Sequence, residues 1–185
     1  MKKIDWLIIF VLIISYLILL FNFKKEIFNY RFSQKTVERY LCSQDIPYEP
    51  PCKKVIVSDE EIHIAAGYLY AKGEDPSVIN FQHMPFIAWL YGIISIYFKN
   101  PYLLEIFFGV LYLFLTYYLG IKIFKNQLIS ILTLLFLLID PLFIDISSQA
   151  SYELGQAVFN LLYFCSLFFL EELVFSRYFF GIFCW

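Results

Sequence analysis

The sequence is poor in charge, and it lacks any stripe of basic residues. Charged residues make up 16% of the 185 residues, whereas hydrophobic residues make up 61%, with 22 Phe and 15 Tyr. The formal net charge of −2 without a basic stripe excludes an electrostatic nucleic-acid interface. A soluble domain of this length cannot bury so much apolar surface, so the composition indicates an integral membrane protein whose first partner is the lipid bilayer.

The N-terminus lacks the small-residue cleavage site of a signal peptide. Met1-Lys2-Lys3 precedes an apolar run that ends in Phe21-Asn22-Phe23-Lys24-Lys25, so we expect an uncleaved anchor. Cysteine is also scarce, and two of the four cysteines, Cys42 and Cys52, lie in a polar segment. In an oxidising compartment these two could pair as a disulfide, and two free thiols are the equal alternative.

Four apolar runs are long enough, or nearly so, to cross a hydrocarbon core of roughly 30 Å. They are residues 6–23, 102–121, 127–146 and 154–170. A fifth run, residues 84–98, reaches only about 22 Å as a helix, which favours an interfacial or re-entrant helix over a span. The last run, residues 178–185, is too short to span. We therefore predict an all-α integral membrane fold with about four transmembrane helices, two juxtamembrane helices in the first outer loop and a truncated last span.

The short basic segments predict the orientation of these spans. Lys2 and Lys3 favour a cytoplasmic N-terminus, and Lys122 and Lys125 then also lie inside. Residues 24–101 form the first outer loop in this topology, and we expect a multi-pass protein of the plasma (inner) membrane. We expect residues 1–185 to be the N-terminal portion of a larger transmembrane module, with the rest of the module missing.

The most acidic part of the outer loop begins with a helix signal. Ser58 followed by Glu61 is a capping box, and Asp59 and Glu60 fall in the first turn, near the positive end of the helix dipole. This helix should end near Gly73. Acids at this position are ordinary helix starters, so the pattern alone does not establish a site.

The two histidines of the outer loop have ordinary interpretations as well. His63 lies four residues after Asp59, but no third ligand follows at a recognisable spacing, so a zinc site is poorly supported. Gln82-His83 could simply be polar residues at the start of the next helix.

Three parts of the sequence, in this order, resemble two outer loops and one cytoplasmic span end of GT-C glycosyltransferases, which include protein O-mannosyltransferases and the lipid A aminoarabinose transferase. Residues 59–68, 73–76 and 80–86 are similar to the first outer loop, where Met84-Pro85-Phe86 stands in place of Pro-Pro-Leu. Residues 117–124 resemble the cytoplasmic end of the second span. Residues 140–153 resemble the next outer loop, with Glu153 where the family usually has Asp.

The resemblance implies transfer of a hexose or pentose from a polyprenyl-phosphate donor to an acceptor glycan, lipid or protein on the outer face. Asp59 would take the acceptor proton as general base, and Glu60 would position the acceptor or a cation. His63, Gln82, His83 and Glu153 would bind substrate. No metal ligands are assigned, and the cofactor is open, with a divalent cation as one candidate.

The resemblance covers about residues 55–175, so we expect the chain by itself to be inactive, or to need a partner for the rest of the donor pocket. The main alternative is a non-catalytic membrane scaffold or assembly subunit. In that case the outer acids would tolerate substitution, because no chemistry depends on them.

Overall fold

The computed structural model of the protein describes residues 3–43, 52–80 and 85–182, and most of these residues are helical. No strand occurs in these ranges, which confirms the predicted all-α class. The helices are α1 (Lys3–Phe23), α2 (Lys25–Asn29), α3 (Gln34–Ser43), α4 (Asp59–Ala71), α5 (Pro76–Ile79), α6 (Pro85–Phe98), α7 (Leu103–Phe124), α8 (Gln127–Ile139), α9 (Pro141–Ile146) and α10 (Glu153–Ile182).

Three helices are long and apolar enough to cross a membrane. The segments are Trp6–Phe23 in α1, Leu103–Phe124 in α7 and Glu153–Leu170 in α10. Two shorter apolar helices accompany them: α6 with 14 residues and α8 with 13. At 1.5 Å per residue each of these two covers only about 20 Å, so the protein is membrane-associated through three candidate spans.

The predicted continuous run 127–146 is wrong, because it breaks after Ile139. Asp140 caps a new helix by accepting a hydrogen bond from the Leu142 backbone N–H at 2.9 Å. Pro141 occupies the first position of that helix, where its missing N–H costs nothing but where it cannot continue α8. The turn between α8 and α9 redirects the chain at the end of the bundle.

The predicted span at residues 154–170 matches the candidate span Glu153–Leu170, but the helix that contains it does not end at residue 170. Helix α10 continues without a break from Glu153 to Ile182. Residues 170–180 contain neither proline nor glycine, so no local signal ends the helix there.

The predicted capping box at Ser58 is confirmed. The Ser58 hydroxyl accepts a hydrogen bond from the Glu61 N–H at 3.3 Å, and the Glu61 carboxylate accepts one from the Ser58 N–H at 3.3 Å. Helix α4 ends at Ala71, and Gly73 follows with φ of 98°, a conformation that favours glycine. The acid-bearing helix α4 therefore has its predicted bounds.

Helix α6 packs mainly against α4. Their backbones cross at Gly67 and Gly92, and a Cβ at Gly67 would collide with the carbonyl of Ala88. On the other side of α4, α3 is joined to the following segment by a disulfide between Cys42 and Cys52, with Cα atoms 5.7 Å apart. The structure thus has the disulfide, one of the two alternatives that the sequence leaves open.

Helices α1, α7, α8 and α10 share one apolar core, in which Tyr16, Tyr117 and Leu134 are fully buried. The polar segments gather where α1 ends and where α7 and α10 begin. The Asn100 side-chain amide donates to the Ile27 carbonyl at 2.8 Å, and the Phe32 N–H donates to the Lys99 carbonyl at 2.7 Å. These bonds fasten the segment between α1 and α7 to one end of the bundle.

Candidate functional site

Glu60 connects three separate parts of the chain at this end of the bundle. One of its carboxylate oxygens accepts a hydrogen bond from the backbone N–H of Ala150 at 3.2 Å. The other accepts one from the Tyr102 hydroxyl at 3.2 Å. Helix α4 is thereby tied to the loop before α10 and to the start of α7, and the carboxylate is held in a defined orientation.

Glu60 also lines a polar cavity of about 200 Å³. The Tyr30 and Tyr102 rings meet there edge to face, with centroids 5.0 Å apart. Burial, and then the charge of Glu60, raises the pKa of Tyr102, so its hydroxyl remains a neutral hydrogen-bond donor around neutral pH. The remaining lining residues are Lys24, Glu26, Ile27, Ser148 and Gln149.

Asp59, the predicted base, directly precedes Glu60 in the sequence but does not line this cavity. Its side chain is exposed and makes no hydrogen bond to any residue in the described ranges. His63, one turn further along α4, is buried and stacks on Tyr152 with ring centroids 4.0 Å apart. The structure therefore brings Glu60 of the predicted Asp-Glu pair into a pocket.

Glu153, the predicted acid of the second loop, lines a different cavity. This cavity holds about 180 Å³ and is shared with Asp140 and Tyr112. Glu60 and Glu153 therefore line two different cavities, and the cavity of Glu153 is mainly apolar. The remaining predicted site residues, Gln82 and His83, lie outside the described residues.

The sequence analysis missed a buried acid that supports this region. Glu105, one turn into α7, is fully buried, and the Tyr91 hydroxyl is hydrogen-bonded to its carboxyl group. The same Tyr91 hydroxyl is 2.7 Å from the Ser151 carbonyl oxygen, next to the Ala150 amide that binds Glu60. The available signal was a lone acid inside an apolar run, because intramembrane charges are costly and usually have a function.

The sequence analysis also missed a long-range ion pair between Lys24 and Asp145. The Lys24 ammonium contacts the Asp145 carboxylate at 2.6 Å, and Gln149 donates to the same carboxylate at 2.9 Å. Lys24 lies at the rim of the polar cavity and also lines a second, apolar groove. No local pattern connects residues 121 positions apart.

Within the described ranges, no three histidine, cysteine or carboxylate side chains form a group that could hold a metal ion. The arrangement offers an oriented carboxylate, two tyrosines and one lysine around a small polar cavity. Such a cavity can bind a polar group and accept a proton from it. The chain matches no protein-family model, no curated protein and no solved structure.

Proposed function

We propose that this chain is the acid-bearing part of a membrane glycosyltransferase. The enzyme would transfer a sugar from a polyprenyl-phosphate donor to an acceptor on the outer face of the inner membrane. Three ordered motifs that resemble GT-C enzymes support the proposal, together with the three candidate spans. The observation that carries it is the position of Glu60 in a polar cavity at the end of the helical bundle.

Glu60 is our proposed general base. An ionised carboxylate has about four lone-pair directions, and the Ala150 N–H and the Tyr102 O–H occupy one on each oxygen. The remaining lone pairs can accept a proton from an acceptor hydroxyl as it attacks the anomeric carbon of the donor. The two donors also hold the carboxylate in place, which lowers the cost of orienting it during the reaction.

The other predicted site residues take supporting roles in this proposal. Asp59, at the exposed start of α4, would contact the acceptor from the aqueous side, and Glu153 would bind sugar hydroxyls from its neighbouring cavity. His63 would hold the Tyr152 ring beside Glu153. Gln82 and His83 keep their proposed substrate-binding role, and groups that bind the leaving phosphate would come from further spans or a partner.

The test compares the variants Glu60→Gln and Asp59→Asn, each introduced into the gene and expressed in the native membrane. Both changes remove one charge from the first turn of α4 and keep the side-chain shape. Transfer of radiolabelled sugar from the polyprenyl-phosphate donor is measured in isolated membranes. Loss of a general base should lower the rate about 10²- to 10⁴-fold in Glu60→Gln, whereas Asp59→Asn, which loses one proposed acceptor contact but not the base, should lower it far less.

The outcomes separate the proposal from its alternatives. Loss of transfer in Asp59→Asn alone would assign the base to Asp59. Unchanged transfer in both variants, with normal protein levels, would favour the non-catalytic scaffold. Quantitative immunoblotting of the membranes is the control, because a variant that is degraded would also lose activity.

A further inference from the structure

An apolar groove of about 790 Å³ lies where α1 ends and where α8 gives way to α9. It exists because the Asp140-Pro141 break turns the chain away from the line of α8. Aliphatic and aromatic side chains from both sides line it, among them Leu19, Phe23, Leu138 and Leu142. Because α1 is a candidate membrane span and Leu142 is 61% exposed, the groove is open to the lipid phase.

Two charged side chains, Lys24 and Asp145, interrupt this apolar lining. They form the 2.6 Å ion pair, and their side chains are 28% and 47% exposed. Both therefore remain accessible to a ligand. Lys24 follows the last residue of α1, so the pair lies at the end of the groove nearest the polar cavity, as expected for the head-group end of a lipid site.

The charge around this end is not balanced. The adjoining polar cavity adds the carboxylates of Glu26 and Glu60, so three acids surround the single ammonium of Lys24. A purely anionic head group would place its phosphate among these acids. A head group with both a phosphate and an ammonium can pair with Lys24 and Asp145 at once, so that neither side chain loses an opposite charge.

We propose that this groove binds a phospholipid whose head group carries a phosphate and a primary ammonium. One acyl chain lies along Leu19, Phe23 and Leu142, the phosphate contacts Lys24, and the ammonium donates hydrogen bonds to Asp145. A quaternary ammonium fits less well, because it has no N–H to donate. The inference goes beyond the proposed transfer reaction and does not depend on it, since it concerns lipid binding alone.

The test uses the full chain in nanodiscs of equimolar phosphatidylethanolamine, phosphatidylcholine and phosphatidylglycerol. Retained lipids are counted by native mass spectrometry. The wild type should retain phosphatidylethanolamine about fivefold over each of the others, as one partly exposed charge pair can provide. Lys24→Gln should abolish this preference. Lys25→Gln is the matched control, because Lys25 lies over the Phe21 ring and lines neither cavity.

Asp145→Asn provides the sharpest variant, since it removes only the proposed ammonium partner. Retention should shift from phosphatidylethanolamine towards phosphatidylglycerol, because the Lys24 charge is no longer neutralised. Equal retention of the three lipids by the wild type, or an unchanged preference in Asp145→Asn, would overturn the proposal. A dimer that forms through this groove and retains no lipid would also overturn it. Circular dichroism checks that each variant is folded.

Discussion

The hydrogen bond between Glu60 and the Ala150 amide allows a direct test of the site geometry, independent of any activity. Glu60→Ala removes the acceptor for that N–H and for the Tyr102 hydroxyl, both at 3.2 Å. Ala150 is fully buried, so its amide would lose a partner that water cannot easily replace. We therefore expect the loop before α10 to open more readily in this variant.

The expected magnitude follows from these contacts. A hydrogen bond to a charged group contributes about 1.5–3 kcal/mol. The Ala150 bond is at the long end of the normal range, and the Tyr102 bond, at 3.2 Å, is longer than a typical O–H···O bond. A loss of about 2 kcal/mol corresponds to roughly 30-fold faster exchange of the Ala150 amide. Removing an acid from the first turn also weakens the dipole interaction by about 0.3–1 kcal/mol, and this cost is shared by Asp59→Ala.

Asp59→Ala is therefore the matched control, because it removes a neighbouring charge that has no hydrogen bond in the described structure. Hydrogen–deuterium exchange is measured by mass spectrometry on peptides that contain Ala150, with the full chain in detergent micelles. Exchange should accelerate in Glu60→Ala and change at most about fivefold in Asp59→Ala. Equal exchange in the two variants would refute the assignment of Glu60 as the residue that holds this loop.

Two further predictions concern stability, measured by thermal unfolding in detergent. Gly67→Ala should destabilise the protein by about 1–3 kcal/mol, because its Cβ meets the Ala88 carbonyl where α4 crosses α6. Glu74→Ala, in the exposed turn after α4, is the control, and equal stability of the two variants would contradict the close crossing. Cys42→Ser opens the ring closed with Cys52, whose sequence separation is 10, and should cost about 2–3 kcal/mol. Reductant should destabilise the wild type equally and leave the variant unchanged.

The sequence by itself determined the helical class and the two ends of α4. The Ser58–Glu61 capping box and Gly73 predicted both ends of α4, because caps depend on residues within a few positions of one another. Long apolar runs likewise predicted α1 and α7, since length and composition suffice for a span. The Asp140-Pro141 pair is also a local signal for a helix break, but the apolar run on both sides of it favoured one continuous span.

Only the tertiary structure decided which polar residues meet. Asp59 and Glu60 are neighbours in the sequence but point in directions about 100° apart on a helix. The way α4 packs turns the side that carries Glu60, and not Asp59, towards the cavity. Lys24 and Asp145 form an ion pair only because the end of α1 lies beside α9. Contacts between distant residues depend on how helices pack, and that packing is a collective property of side chains on several elements that no local pattern contains.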